Sequence, residues 1–145
     1  MTDVVLVVRK LSVLREHLAR IQRRLPGDAA AFIRDTDRQD ATAMSLFVAI
    51  QEAIDIALHI ASDEAWGVPG SYGDAFHLLS TNGAISAGLA QTLASMSGLR
   101  NRIAHGYASV DPARLWAEIP AGLSALDEYA TAVATLVSDG LRRQS

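Results

Sequence analysis

Apolar residues near the N-terminus recur with the period of an α-helix. They are separated alternately by three and four positions and so fall on one helix face: Val4, Val7, Leu11, Leu14, Leu18, Ile21 and Leu25. Pro26-Gly27 follows directly and predicts the end of this helix. The next segment, from Asp28 to Ile33, is typical of a short helical turn or a loop.

Two more helices are predicted in the middle of the chain. The second runs from about Asp40 to Asp63, and the sequence Gly67-Val-Pro69-Gly70 ends it. Ser71 followed by Asp74 resembles a capping box with aspartate as the less usual partner. This pair predicts a short third helix over Tyr72 to Ser80.

The C-terminal third of the chain predicts two further helices. The fourth starts near Ala84, and Gly106 is a plausible C-terminal stop. Asp111-Pro112 provides an N-cap and a proline at the first helical position, which predicts the start of the fifth helix. Pro120 is expected to kink or restart that helix.

The whole pattern predicts one all-α domain over residues 1–145, an antiparallel bundle of four to five helices, because no segment alternates as a strand does. The absence of cysteine excludes a disulfide framework and thiolate zinc sites, and it fits a reducing cytoplasm. The run Val4–Val8 is followed at once by Arg9 and Lys10, so we read no signal peptide. No apolar stretch approaches the length of a membrane span.

Composition and charge add two expectations. Half of the residues are hydrophobic, which favours a self-associating face on so small a chain. The net charge of −3 argues against binding of nucleic acid by bulk charge. Residues 1–25 are nevertheless rich in arginine, which indicates either a local positive surface or a solvated helix face.

The end of the fourth helix concentrates polar side chains suited to a phosphodiester: Arg100, Asn101, Arg102, His105 and Tyr107. Arginine offers a planar fork of donors that matches two phosphate oxygens. Histidine titrates near neutrality, so it can take a proton from a ribose 2′-hydroxyl or give one to the leaving oxygen. RNA carries that nucleophile itself, so no metal is required. The alternative is that these cations only compensate the helix dipole.

The spacing within this segment restricts how it can act. Arg100 and Tyr107 are seven residues apart and fall on nearly the same helix face. Arg100 and His105 are five apart, which separates them by about 140° around a regular helix. They can converge only if the helix end is irregular, which Gly106 allows, or if a second copy of the chain supplies one of them.

The pattern Arg100-Asn-Arg-Ile-Ala-His105-Gly-Tyr107 resembles the Arg-x-x-x-x-His-x-Tyr signature of the HEPN superfamily. It is most similar to the HepT-like toxins, which are paired with a minimal nucleotidyltransferase antitoxin. Residues 51–60, 69–76 and 96–100 also resemble that family's second helix, mid-chain loop and lead-in to the signature. The resemblance covers about residues 1–140 in helix order and spacing.

This resemblance implies a fold, an activity and a set of roles. The fold is an all-α homodimer, or a higher assembly of dimers, whose two signatures face each other across a shared cleft. The activity is that of a cytoplasmic, metal-independent endoribonuclease toxin without a cofactor, in a toxin–antitoxin module of type II or type VII. His105 is implied as general acid and base, Arg100 as the ligand of the scissile phosphate, and Tyr107 as the acceptor of AMP from ATP. We add Asn101 and Arg102 as further RNA or phosphate contacts.

Residues outside the signature also have two interpretations each. Glu52, Asp55 and His59 form a polar stripe, which either orients His105 through a carboxylate or is a solvated face with an Asp55–His59 pair. His17 and His77 lack partners at metal-ligand spacing and are interpreted as structural.

Two other functions remain open at this point. Trp66 and Trp116 are expected to be core or interface anchors, which would suit any of these functions. The chain can also be a non-catalytic helical partner that regulates a nucleotidyltransferase, with segment 100–107 as docking surface and AMP acceptor. A structural helical dimer without an active site is the third hypothesis.

Overall fold

The computed structural model describes residues 2–144, and all regular structure in that range is helical. The α-helices are α1 (Val4–Arg24), α2 (Ala29–Ile33), α3 (Thr36–Asp63), α4 (Tyr72–Thr81), α5 (Ala87–Gly106) and α6 (Pro112–Gln144), with a 3₁₀ turn at Tyr107–Ser109. The all-α prediction is confirmed for the described residues. Six helices form instead of four to five, because the segment predicted as a turn or loop folds into α2.

The four long helices alternate in direction. The Asp3 amide donates to Asp63 Oδ2 at 2.9 Å, so the start of α1 lies at the end of α3. Tyr107, just after α5, contacts the first turns of α3. A Cβ at Gly122 of α6 would lie 2.9 Å from Met96 Cε of α5, so glycine lets these two helices approach closely. The bundle is therefore antiparallel, with α2 and α4 as short connecting helices.

Side-chain caps explain where α3 and α5 begin. Asp35 accepts a hydrogen bond from the Arg38 amide at 3.0 Å, so α3 starts at Thr36, four residues before the predicted start. Ser86 accepts from the Leu89 amide at 3.1 Å and starts α5 at Ala87, three residues after the predicted start. In both cases the cap, and not the first apolar residue, decides the boundary.

The expected interruption of the last helix at Pro120 is not found. Helix α6 runs unbroken through this proline, although an internal proline typically costs about 3 kcal/mol or more. Leu115 and Ile119 before it and Leu126 after it are buried. Burial on both sides of Pro120 therefore holds the helix on the same core.

Gly106 ends α5, but not in the way its residue type predicts. Its φ is −161°, so it does not adopt the left-handed conformation of a glycine C-cap. The chain passes instead into the 3₁₀ turn Tyr107–Ser109, where Ser109 Oγ donates to the Gly106 carbonyl at 2.7 Å. Helix α5 is thus regular through His105.

Helix α3 forms the centre of the core and contacts every other α-helix. Twelve of its residues are buried. The buried Tyr129 hydroxyl of α6 donates to the Ala53 carbonyl at 2.9 Å, and Phe76 of α4 meets the Tyr129 ring edge-on. Trp66 and Trp116 pack against this core, as predicted for core anchors.

The burial of α3 also bears on the membrane prediction. Contrary to the sequence expectation, α3 is long and apolar enough to qualify by length and composition as a membrane-spanning candidate. In the bundle, however, 56% of its most apolar window is buried. The apolar run is accounted for by the central position of the helix in the core.

Candidate functional site

Arg100 is held by contacts on several sides of its guanidinium. Its Nε donates to Gln51 Oε1 at 2.8 Å, and its Nη1 donates to Asn101 Oδ1 at 3.0 Å. The guanidinium carbon lies 5.1 Å from the ring centroid of Phe47 and 5.4 Å from that of Tyr72, within cation–π range. We call these four partners the arginine clamp.

The clamp leaves the charge of Arg100 uncompensated. Among residues 2–144 no carboxylate forms an ion pair with Arg100, and Nη2 has no hydrogen-bond partner. All of its clamp partners are neutral. Because an arginine remains protonated at any working pH, this site presents a fixed cation whose unused donors suit an anion.

Arg102 has a different environment from Arg100, two residues before it. Its Nη2 donates to both carboxylate oxygens of Glu118 on α6, at 3.0 and 2.9 Å. Glu118 also binds Arg114 at 3.1 Å. The structure therefore does not bring Arg102 together with Arg100, and its predicted phosphate contact would require the pair with Glu118 to open.

Asn101 and His105 are both exposed at the end of α5. Asn101 accepts from Arg100 with its oxygen, so its amide nitrogen is directed elsewhere and remains a donor. His105 lies in the last turn of the regular helix. Because α5 is not distorted before Gly106, Arg100 and His105 stay about 140° apart around the helix axis.

Tyr107 turns back onto α3 through the break at Gly106. Its hydroxyl donates a short hydrogen bond to Asp40 Oδ1. Burial of the phenol, followed by this hydrogen bond and the negative charge of Asp40, raises the pKa of Tyr107 from 10.0 to about 12. The ring is still 38% exposed, so a macromolecular partner can reach it.

One face of α3 therefore holds both ends of the signature. Asp40, Phe47 and Gln51 are spaced by seven and four residues, which places them along one side of the helix. Asp40 binds Tyr107, while Phe47 and Gln51 contact Arg100. Arg100 and Tyr107 thus reach the same face of α3, as their seven-residue spacing suggested.

Sequence reasoning did not assign these α3 residues to the site. Gln51 was noted only for its resemblance to the family's second helix, and Asp40 only as an approximate helix start. Tyr72, at the start of α4, was noted only within the mid-chain loop. Their spacing along α3 was visible in the sequence, but nothing in it indicated that this face meets Arg100.

The polar stripe of α3 matches neither interpretation offered for it. Asp55 Oδ2 accepts from Lys10 Nζ at 3.3 Å, and Asp55 Oδ1 accepts from Gln51 Nε2 at 2.9 Å. Glu52 also binds Lys10, at 3.4 Å. Asp55 is therefore bound by α1 and by Gln51, and is linked through Gln51 to Arg100 instead of orienting His105 or pairing with His59.

The remaining histidines lie apart from this site. His77 is exposed on α4. His17 of α1 has a buried Nδ1 without a hydrogen-bond partner in the described chain. Burial, and then the charge of Arg20, lower the pKa of His17. Within residues 2–144, no three His, Cys, Asp or Glu side chains are grouped in a way that could hold a metal ion.

Comparison with known proteins places this geometry in a family. The model of the HepT-like ribonuclease family matches residues 14–133. The chain is 34% identical over 102 residues to the mRNA nuclease HepT of Shewanella oneidensis, covering 70% of this chain and 76% of that protein.

Solved structures agree with the family match. The tri-AMPylated HEPN toxin of Shewanella oneidensis, in complex with its MNT antitoxin, aligns with a TM-score of 0.82 at 28% identity over 93% of this chain and 99% of that chain. The cytosolic protein YutE of Bacillus subtilis, of unknown function, aligns with a TM-score of 0.85 at 17% identity over 97% and 94% of the two chains, which supports the fold. The resemblance drawn from the signature is confirmed: the chain belongs to the HepT-like ribonuclease family.

Proposed function

We propose that this protein is a metal-independent endoribonuclease that acts as the toxin of a toxin–antitoxin pair. The observation that carries the proposal is the contrast between its two signature arginines. Arg102 is neutralised by Glu118, whereas Arg100 is held by neutral groups and keeps an uncompensated charge. A clamped cation with unused donors is what a scissile phosphate and its developing negative charge require.

The side chains around Arg100 support a mechanism that uses the substrate's own nucleophile. His105 removes the proton from the ribose 2′-hydroxyl, whose oxygen attacks the neighbouring phosphorus. The 5′-oxygen leaves with a proton, and the products are a 2′,3′-cyclic phosphate and a 5′-hydroxyl. Arg100 stabilises the charge on the non-bridging oxygens, and Asn101 adds a donor. Guanidinium, amide and imidazole groups perform these steps without a metal ligand set.

The active form in this proposal is a homodimer. Helix α5 is regular through His105, so an irregular helix end does not bring His105 towards Arg100. A second copy of the chain remains as the source of the facing residue, and a two-fold axis near the end of α5 would supply it reciprocally. The exposed Met44 and Tyr107 near the arginine clamp provide apolar surface for such contacts.

Tyr107 is the proposed site of silencing. The related Shewanella oneidensis toxin is tri-AMPylated and bound to its MNT antitoxin. By analogy, a cognate minimal nucleotidyltransferase in the cytoplasm transfers AMP from ATP to the Tyr107 oxygen and releases pyrophosphate. The added phosphates carry negative charge close to Arg100, where they compete with RNA.

RNA cleavage by the purified chain in the presence of a chelator tests this function. We expect wild type to cleave RNA, to spare DNA of the same sequence, and to lose activity in His105→Ala. His77→Ala is the matched control, because His77 is an exposed helical histidine away from Arg100. If wild type and His105→Ala are equally inactive on RNA and equally harmless on expression, the chain is instead a non-catalytic partner of the nucleotidyltransferase.

A further inference from the structure

A continuous row of hydrogen bonds connects α1 to Arg100 across the middle of the bundle. Lys10 Nζ donates to Asp55 Oδ2 at 3.3 Å, Gln51 Nε2 donates to Asp55 Oδ1 at 2.9 Å, and Arg100 Nε donates to Gln51 Oε1 at 2.8 Å. We call Lys10, Asp55 and Gln51 the relay. It joins α1, α3 and α5, none of whose relay positions lies in the signature except the last acceptor's partner, Arg100.

The chemistry of the two ends determines how the Gln51 amide is oriented. An ionised Asp55 can only accept, so it must face the NH₂ group of Gln51. The Nε–H of Arg100 can only donate, so it must face the Gln51 oxygen. A flipped amide would oppose oxygen to carboxylate and NH₂ to guanidinium. The orientation is therefore set by the partners and does not depend on how the amide was assigned.

Lys10 completes this arrangement by keeping Asp55 ionised and in place. It is the single lysine in the chain, and its side chain is only 21% exposed. Burial alone would lower the pKa of Lys10, but the Glu52 and Asp55 carboxylates outweigh it and raise the pKa above 10.5. Asp55 thus has a permanent cation on one side and Gln51 on the other.

We propose that Gln51 is a positioning residue for Arg100, and that Asp55 and Lys10 act by holding the Gln51 amide in the orientation that accepts from Arg100. This inference rests on the proposed ribonuclease function. The Nε contact fixes the rotation of the guanidinium about its long axis, while Phe47 and Tyr72 bound it by ring contacts. The remaining donors then point in one direction, towards the place of the phosphate. Geometric fixation of this kind is a large part of catalysis by bound charges.

Gln51→Met tests the inference, because methionine keeps the volume and removes both hydrogen bonds. We expect kcat for RNA cleavage to fall by about tenfold to a hundredfold, while KM changes little because the rest of the RNA surface is intact. Gln91→Met is the matched control, since Gln91 is an exposed glutamine on α5. Asp55→Asn should give a smaller loss in the same direction, because one amide oxygen cannot serve both Lys10 and Gln51, and it replaces Gln51→Met if that variant does not fold.

A double-mutant cycle separates positioning from general damage. If Gln51 acts through Arg100, then Gln51→Met has little further effect on kcat in an Arg100→Lys background. Equal losses in both backgrounds would overturn the inference, and so would wild-type kcat in Gln51→Met.

A measurement without RNA keeps the inference distinct from the proposed function. In NMR spectra of the full chain, the Arg100 Nε–H signal, assigned by its loss in Arg100→Lys, should exchange with water faster in Gln51→Met than in wild type. If wild type does not cleave RNA but this exchange accelerates, the proposed function fails and the relay stands. Unchanged exchange overturns the relay whatever the activity.

Discussion

The Tyr107 hydroxyl donates its proton in a hydrogen bond to the Asp40 carboxylate, which lies on α3, outside the signature. The contact has two consequences. It anchors the 3₁₀ turn that follows α5, and together with burial it makes the phenol a weaker acid, with a pKa of about 12. The proposed AMP acceptor is therefore held protonated and tethered in the unmodified chain.

Asp40→Asn should lower the pKa of Tyr107 from about 12 towards 10.0. The amide can still accept a hydrogen bond but carries no negative charge, while burial of the ring remains. NMR titration with ¹³Cζ-labelled tyrosine resolves the residue among the three tyrosines of the chain. Asp37→Asn is the control, because Asp37 is an exposed carboxylate on the same helix.

The same shift predicts how stability depends on pH. The folded state holds the phenol proton more tightly than the unfolded chain does, so this contribution is complete below pH 10 and is lost between pH 10 and about 12. Asp40→Asn should make the alkaline loss of the free energy of unfolding less steep across this range. An unchanged Tyr107 pKa in Asp40→Asn would show that Asp40 does not act on the phenol in solution.

Tyr107 should be the residue that accepts AMP from the cognate nucleotidyltransferase. Tyr107→Phe is expected to abolish the adduct seen by mass spectrometry. Tyr72→Phe should retain it, although Tyr72 is 37% exposed and Tyr107 38%. The modified oxygen cannot donate to Asp40, and its phosphodiester is repelled by that carboxylate, so hydrogen exchange at Tyr107–Ser109 should accelerate on modification. An adduct on Tyr72 alone would contradict the assignment.

Active-site complementation should reveal whether two chains share one site. Arg100→Ala and His105→Ala are each expected to be inactive. Mixed and allowed to exchange subunits, they should regain up to about a quarter of wild-type cleavage, because half of the dimers are mixed and one of their two sites is complete. A mixture that stays inactive while exchange is verified by mass would place Arg100 and His105 of the same chain in one site.

Arg100 and Arg102 should differ sharply when each is replaced by alanine. Arg100→Ala is expected to lower kcat by roughly 10²- to 10³-fold, because an electrostatic donor to the transition state is lost. Arg102→Ala should change kcat no more than about threefold and lower the free energy of unfolding by less than about 1 kcal/mol, as partly exposed ion pairs do. Equal losses of kcat would return Arg102 to the phosphate site.

Much of the fold could be predicted from local patterns. The first helix and the short helix after Ser71 were predicted within a few residues, because apolar period, caps and breakers act over one or two turns. Errors arose where longer-range packing decides. Pro120 stays inside α6 because the helix is buried on both sides of it, and α3 carries an apolar run of membrane-like length because it lies at the centre of the core.

The candidate site divides in the same way. Arg100, His105 and Tyr107 were identified in the sequence because they lie within eight residues and their chemistry and spacing resemble a known signature. The sequence by itself thus determined the helical class, the family resemblance and the residues that carry charge and protons.

Only the tertiary structure decided how those residues are used. Whether an arginine is neutralised, as Arg102 is by Glu118, or held uncompensated, as Arg100 is by Gln51, depends on which helix faces meet. The partners lie 16 and 49 residues away in the chain. Such contacts follow from the register of α3, α5 and α6 in the packed core, which no spacing within a single helix specifies.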